Sequence, residues 1–194
     1  MPNTQEAVDG RRARSERSRL AIVDAAIQLM GSGVLVPTAQ QISDQAGVGI
    51  RTFFRHFADM ESLFLAVDGQ MRDSYEAVFL GGDRGGNLEQ RLEHAVEHHA
   101  DAFDSVKPIM LSTLAQLWRS EVVRKNYARS QRGLRKDLED WLPELKSLPR
   151  DRREAVDALA SFDMWHRLRE HQGLSRKASI DIIHGMLKHL ILQD

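Results

Sequence analysis

Apolar residues recur along this chain at intervals of three and four, which is the spacing of one face of an α-helix. The first such segment ends at Gly31 and Gly33 and carries, at 3–4–3 spacing, Leu20, Val23, Ile27 and Met30. Five later segments follow the same rule, at 87–104, 107–119, 121–142, 150–170 and 175–192. No alternating run bounded by turns indicates a strand. The pattern predicts an all-α protein, with Pro108 in a first turn, where its missing N–H costs nothing.

Two short helices separated by a glycine are predicted between residues 38 and 57. Thr38 follows a proline and is a good N-cap for a helix over Ala39 to Ala46. Gly47 supplies the positive φ that a tight turn requires. The second helix, Gly49 to His56, and the residue after it place two aromatic side chains on one face, Phe53 and Phe57. With Ile42, Ala46 and Val48 as support, this arrangement predicts a helix-turn-helix.

The outward face of the second short helix carries residues that can read DNA. A major groove about 12 Å wide admits one α-helix. Arg51 and Arg55 can bind guanine O6 and N7, Thr52 can contact a thymine methyl, and His56 can reach phosphate. The segment therefore predicts a DNA-reading element.

Charge and composition narrow the function classes. Residues 11–57 hold seven arginines and three acidic residues, a net charge of +4, whereas residues 58–194 have a net charge of −3. The absence of cysteine excludes disulfides and thiol chemistry. No apolar run is long enough to span a membrane and the start lacks a secretory signal, so a cytoplasmic protein is expected. Four glycines within residues 81–86 predict a flexible loop.

A stretch of sequence longer than the helix-turn-helix resembles a known protein family. "TAQQISDQAGVGIRTFFRHFADMESLF", residues 38–64, resembles the TetR family of bacterial repressors. The resemblance is specific over residues 18–67, and the last helix, "GLSRKASIDIIHGMLKHL", is also similar to the end of such proteins.

The resemblance implies a two-domain all-α protein without cofactor or enzymatic activity. A basic flexible leader at 1–17 would precede a three-helix DNA-binding domain at 18–67. A larger helical domain, 68–194, would bind a small-molecule effector and form a homodimer. The expected function is a transcriptional repressor that binds a palindromic operator in double-stranded DNA and is released by the effector. Its half-sites would lie about 34 Å apart.

The resemblance also implies residue roles. Phosphate contacts would come from Thr38, Gly49, Phe54, Arg55 and His56, and base contacts from Ile50, Arg51 and Thr52. Three positions depart from the family pattern: Gly49 replaces a usual serine or threonine, Phe54 a tyrosine, and Met60 a lysine. Each departure removes a donor or a charge directed at phosphate, which the arginines between Arg11 and Arg19 can supply instead.

Aromatic and aliphatic residues after position 87 are interpreted mainly as core, a subset of which can line an effector cavity. They are Leu92, Val96, Phe103, Met110, Leu114, Leu117, Trp118, Tyr127, Trp141, Phe162 and Trp165. The dimer surface is expected on apolar stripes of the last two helices, at Leu159, Phe162, Ile183, Met186, Leu187 and Leu190.

Two other functions remain open on the sequence. His94-x-x-Glu97-His98 fits an H-x-x-E-H metal-hydrolase pattern, with His99 as a further donor, although no third ligand can be named. In a regulator the same histidines would lie on a solvated helix face or form a regulatory site for a metal or an anion. A helical interaction module that binds no DNA is the third possibility, and it would show no salt-dependent retention on DNA.

Overall fold

The computed structural model describes residues 4–192, with side chains from residue 10 onward, and every regular element in this range is helical. This confirms the predicted all-α class. In chain order the elements are α1 (Thr4–Gly31), α2 (Ala39–Gln45), α3 (Ile50–His56), α4 (Met60–Ala77), α5 (Leu88–Leu114), α6 (Glu121–Trp141), a 3₁₀ turn (Pro143–Ser147), α7 (Arg150–Leu159), α8 (Phe162–His166), a π-helical turn (Arg167–His171) and α9 (Arg176–Leu192). None of these helices is both long and apolar enough to cross a bilayer.

The chain divides into two compact units. Unit 1 consists of the residues up to Arg72 together with Lys107–Ala128, and unit 2 consists of Asp73–Val106 with the residues from Arg129 onward. Helices α4, α5 and α6 each continue from one unit into the other. Unit 1 therefore combines the N-terminal helices with parts of α5 and α6 that are distant in the sequence.

Unit 1 is built around apolar residues from α1 to α4. The buried cluster comprises Ile22, Val23, Ala25, Ala26, Met30, Ile42, Phe53, Phe57, Leu63 and Val67. Leu20, which the spacing placed on the inner face of α1, is instead 43% exposed, and Ile22 is fully buried. The buried face of α1 therefore differs from the predicted one. It includes the small side chains of Ala25 and Ala26, which allow α2 and α3 to pack closely.

Two hydrogen-bonded ties hold α5 and α6 in unit 1. The Ser112 hydroxyl donates to the carbonyl of Leu35, 2.8 Å away. A carboxylate oxygen of Glu61 accepts from the Ser120 hydroxyl at 2.8 Å and from the backbone N–H of Glu121 at 3.0 Å, so it satisfies a donor at the start of α6. Trp118, expected in the core, lies in the intervening turn and is 80% exposed.

The core of unit 2 is formed by aromatic and aliphatic side chains from α5 up to Val106 and from the chain after Arg129. Trp141, Phe162 and Leu187 are each 1% exposed or less. A cavity of about 20 Å³ in this unit is lined by apolar side chains, including Trp165 and Leu187, together with the imidazole of His99. That volume holds about one water molecule and is far smaller than the roughly 300 Å³ or more of a ligand pocket.

A charged network fixes the glycine-rich loop to unit 2. Arg84 donates to Asp137 at 2.6 Å, and the second Asp137 oxygen lies 2.9 Å from Nε2 of His99. The Arg84 guanidinium also lies 4.8 Å from the centre of the Trp141 ring. Gly82 has a φ of +79° and its backbone lies against this ring. The approach is so close that a Cβ at position 82 would come within 2.5 Å of a Trp141 ring atom. The loop predicted as flexible is thus held by specific contacts.

Within the segment predicted as a basic flexible leader, 1–17, the residues from Thr4 onward belong to α1, and residues 1–3 lie outside the described part of the chain. Two predicted helix boundaries are wrong. Helix α5 continues through Pro108 to Leu114, where a new helix was expected. The single helix predicted over 150–170 ends at Leu159, because Ser161 caps a new helix by accepting a hydrogen bond from the backbone N–H of Met164.

The predicted dimer surface is only partly available. Phe162, Ile183 and Leu187 are buried within the single chain, at 1%, 5% and 0% exposure, so they cannot form an interface with a second copy. Ile182 and Leu192 on α9 are instead the more exposed apolar residues, at 38% and 56%.

Candidate nucleic-acid interface

Helix α2 and the turn after it form the platform for α3. Thr38 and Gln41 make a reciprocal capping box, in which the Thr38 side chain accepts from the N–H of Gln41 at 3.2 Å and Gln41 Oε1 accepts from the N–H of Thr38 at 2.9 Å. Ile42 is fully buried against the unit 1 core. Gly47 has a φ of +65°, which turns the chain toward α3. The N-cap and the glycine predicted from the sequence thus have the expected local roles.

The buried side of α3 is aromatic. Phe53 is fully buried and Phe57 is 3% exposed, and their ring centres lie 6.0 Å apart. The guanidinium of Arg19 on α1 lies 5.5 Å from the Phe57 ring centre. These contacts fix the rotation of α3 about its axis, because turning it would expose both rings.

The opposite side of α3 brings most of the predicted reading residues together. Ile50, Arg51, Phe54 and Arg55 share one exposed face, and Phe54 is 53% exposed. Its ring stands edge-on to that of Phe53 at 5.2 Å. The face therefore offers two guanidinium groups beside two apolar side chains.

The remaining predicted site residues lie around this face. Thr38 and Gly49 are exposed at the starts of α2 and α3, and Gly49 provides no side-chain cap. Thr52 and His56 are half-buried on the flanks of α3. The predicted set thus occupies one helix and the two turns that precede α2 and α3, and its roles in binding remain a prediction.

The surroundings of His56 lower the pKa of its imidazole. Burial lowers its pKa, and the charges of Arg55 and Arg19 lower it further. Its Nε2 is buried, and no hydrogen-bond partner for it lies among the described residues. The lowered pKa favours the uncharged imidazole at neutral pH.

The histidines considered as metal ligands have other partners. Nδ1 of His94 lies 2.9 Å from the carbonyl of Asp83, and Nε2 of His98 lies 3.1 Å from that of Phe79. Because a carbonyl only accepts, both of these nitrogens carry protons, and only the other ring nitrogen of each histidine has a lone pair for a metal. His99 is 5% exposed and bonds Asp137, so the expected solvated face is wrong for it. In the described part of the chain, no cluster of three or more ligand side chains suits a metal.

Comparison with known proteins agrees with this geometry. Residues 22–67 match the family model of bacterial regulatory proteins of the tetR family. No curated protein is significantly similar in sequence.

Solved structures show the same fold at low sequence identity. A tetR-family transcriptional regulator from Streptomyces coelicolor has a TM-score of 0.69 at 16% identity, covering 90% of this chain and 80% of that one. The multidrug binding protein EbrR, complexed with imidazole, has a TM-score of 0.65 at 17% identity, over 91% and 96% of the two chains. A TetR transcriptional regulator from Rhodococcus sp. RHA1 has a TM-score of 0.52 at 16% identity, over 91% and 99%. Residues 22–67, which contain the helix-turn-helix, are thus similar to the tetR family of bacterial regulatory proteins, and the chain has the fold of these solved structures.

Proposed function

We propose that this regulator represses transcription by inserting α3 into the major groove of a palindromic operator. The observation that carries the proposal is the two-sided character of α3. Phe53 is fully buried against unit 1, while Arg51 and Arg55 project from the exposed face. Arginine reads guanine through two parallel hydrogen bonds, and a helix held rigidly by its buried side can place those bonds reproducibly.

Base and phosphate contacts are assigned to different parts of the same surface. Ile50, Arg51 and Thr52 would contact base edges. The flanking positions would contact the backbone, and these are Thr38, Gly49, Phe54, Arg55 and His56. Phe54 has no hydroxyl to donate, so its exposed ring would pack against sugar or a thymine methyl.

Two copies would bind together, because homodimers are typical of the family. The apolar residues that α9 leaves exposed, Ile182 and Leu192, support a contact with a second copy. Two α3 helices would then meet half-sites about 34 Å apart, one turn of DNA.

The effector is proposed to be a small, mostly apolar molecule that binds the C-terminal domain and lowers DNA affinity. The similar protein EbrR is described as multidrug binding, which supports a ligand of this class. The cavity beside His99, about 20 Å³, is too small for such a molecule, so binding would require this region to open. An effector that binds the opened form more tightly shifts the equilibrium toward it. The protein would act by binding alone, without catalysis.

The test is selection of genomic DNA fragments by the purified chain, followed by affinity measurements on the selected motif. Replacing Arg51 with alanine is expected to cost about 1–3 kcal/mol and to relax sequence preference at one position of each half-site. Replacing Arg55 with alanine is expected to weaken binding about equally on all sequences and to lower the salt slope by about 1. Arg132→Ala is the matched control, since Arg132 is an exposed arginine on α6 in unit 2. Failure to retain DNA at low salt, or equal losses in all three variants, would contradict the proposal.

A further inference from the structure

Of the three tryptophans in this chain, Trp118 is the one that the fold leaves exposed. It lies between α5 and α6 and is 80% exposed, whereas Trp141 and Trp165 are 0% and 2% exposed. No hydrogen-bond or ring partner for its indole lies among residues 10–192. Covering an aromatic side chain removes about 150–250 Å² from water, and tryptophan is among the residues that contribute most to interfaces. Trp118 therefore marks a candidate interaction surface.

Two arginines flank Trp118. Arg119 follows it directly and donates through Nη2 to Oε1 of the buried Gln116 at 3.3 Å. Arg124, in the first turn of α6, donates through Nη1 to the carbonyl of Leu117 at 2.8 Å, which brings its guanidinium to the residue before Trp118. Both arginines are exposed, and each keeps further N–H donors, because a guanidinium carries five. We call Trp118, Arg119 and Arg124 the α5–α6 corner.

The α5–α6 corner is positively charged. Residues 115–128 contain three basic side chains and one acidic side chain, Glu121. Glu121 pairs with Lys125 at 2.7 Å. In the part of the chain that the structure describes, no carboxylate forms a salt bridge with Arg119 or Arg124. The two guanidinium groups are therefore available to an anionic partner.

The corner lies beside the end of the reading helix, within unit 1. A carboxylate oxygen of Glu61 accepts from the hydroxyl of Ser120, the residue directly after the corner arginine 119, at 2.8 Å. Glu61 is four residues after Phe57, which directly follows α3, and four residues span at most about 14 Å. A major groove is about 12 Å wide. When α3 occupies the groove, the corner is therefore close to the phosphates that border it.

We propose that the α5–α6 corner contacts the sugar–phosphate backbone beside the half-site that α3 reads. Duplex DNA carries about one negative charge per 1.7 Å of its axis, so two guanidinium groups at this position have several phosphates to bind. The indole of Trp118 can donate from Nε1 to a phosphate while its ring packs against a sugar. DNA is favoured over an acidic protein as the partner, because α3 already brings it to this side of unit 1. The proposal rests on the DNA binding proposed for α3.

The fluorescence of Trp118 tests the contact in the unmodified chain. Acrylamide is a neutral quencher that DNA does not repel, and it reaches an exposed indole more easily than a buried one. Trp118→Phe removes the exposed indole and gives the signal of the two buried tryptophans alone. A duplex that carries the selected motif and flanking sequence is expected to lower the quenching of the wild-type chain toward that of Trp118→Phe. Salt high enough to dissociate the complex is expected to restore the quenching.

Removing the two arginines tests the phosphate contacts themselves. The test variant is Arg119→Gln/Arg124→Gln. The matched control is Arg132→Gln/Lys136→Gln, which removes the same charge from two exposed positions on α6 in unit 2. Glutamine preserves helix propensity, and far-UV circular dichroism compares the helix content of both variants with that of the wild type.

The affinity of each variant for the same duplex is measured at several salt concentrations. Each phosphate contact adds about 0.9 to the steepness of log K against log salt, so losing two contacts lowers the steepness by about 1.8. At about 0.1 M salt this corresponds to roughly 60-fold weaker binding, taking the affinity extrapolated to 1 M as unchanged. The control variant is expected to keep the wild-type slope. The motif selected by the test variant is expected to stay the same, because backbone contacts carry no base information.

Equal slopes in the test and control variants would overturn the corner as a DNA contact. A Trp118 that stays open to acrylamide in the complex would also overturn it and would leave this surface to an acidic protein partner. Protection that rises with the concentration of the free chain would assign the surface to a second copy instead. If Arg51→Ala still weakens the motif in these cases, the role of α3 stands. If the wild-type chain itself shows no salt-dependent binding, the proposed function fails as well.

Discussion

Replacing Gly47 with alanine isolates the contribution of the turn between α2 and α3. Gly47 has a φ of +65°, in the left-handed region that L side chains rarely adopt. A Cβ at this position would meet no atom within 4 Å, so the substitution creates no clash. The expected cost is therefore that of the backbone conformation alone, about 1–2 kcal/mol.

The matched control for this prediction is Gly49→Ser, two positions farther along. Gly49 has a φ of −71° and equally open surroundings, and it is the N-cap of α3 without a side-chain hydrogen bond. Serine there is expected to stabilise the unit by a few tenths of a kcal/mol, because its hydroxyl can accept from a free backbone N–H.

Urea unfolding followed by far-UV circular dichroism distinguishes these outcomes. With a slope of about 1–3 kcal/mol per molar urea, the Gly47→Ala midpoint is expected to fall by roughly 0.3–2 M, while that of Gly49→Ser stays level or rises slightly. A Gly47→Ala midpoint equal to that of the wild type would refute the argument that the positive φ is required. An equal fall in both variants would show a general sensitivity of the segment to added side chains instead.

Two further predictions concern a helix cap and a buried carboxylate. Thr38→Ala is expected to lose about 0.5–2 kcal/mol of unfolding free energy and to weaken DNA binding, because it removes the acceptor for the N–H of Gln41. Thr38→Ser keeps the hydroxyl acceptor and should retain both the stability and the DNA affinity. Urea titrations and DNA-binding titrations measure the two quantities. Burial raises the pKa of Asp137, but hydrogen bonds from His99 and Arg84 outweigh it, so the folded pKa lies below the ordinary value of about 3.8. Asp137 therefore stabilises the fold above that value and loses this contribution as the pH falls through the folded pKa. Asp137→Asn should be less stable than the wild type at neutral pH by about 1.5–3 kcal/mol, the usual contribution of a charge-assisted hydrogen bond. Unfolding midpoints measured at decreasing pH should show this difference in stability becoming smaller.

The helix-turn-helix could be predicted because its determinants are local. Thr38 caps a helix whose third residue completes the capping box, and Gly47 occupies the one sharp turn. The spacing of Phe53 and Phe57 places both on the buried side of α3. Each of these residues acts on another residue within about one helical turn. The whole pattern is therefore visible in a single sequence. The residues on the other side of α3 are then predicted to be exposed.

Pro108 shows where local signals mislead. A proline inside a helix costs about 3 kcal/mol, which favours placing it in a first turn. Instead α5 continues through it, because the helix is held by packing on both sides. Phe103 before the proline is buried in unit 2, and Ser112 after it is buried in unit 1 and bonds the carbonyl of Leu35. Tertiary contacts of this kind override local propensity and leave no periodic trace in the sequence.

His99 shows that local sequence signals can also mislead the prediction of a functional site. Beside His94 and His98 in the sequence, it resembled a metal donor, since helical spacing brings such residues to adjacent faces. Its partner is Asp137, 38 residues away, and that carboxylate also binds Arg84 at a separation of 53 residues. A buried imidazole with such a partner is satisfied without a metal, because the desolvated groups already pair with each other. The partner of a buried polar residue lies wherever the fold brings it. Histidine spacing on one helix therefore cannot distinguish a ligand set from a structural network, whereas the local pattern of the reading helix identifies its exposed face.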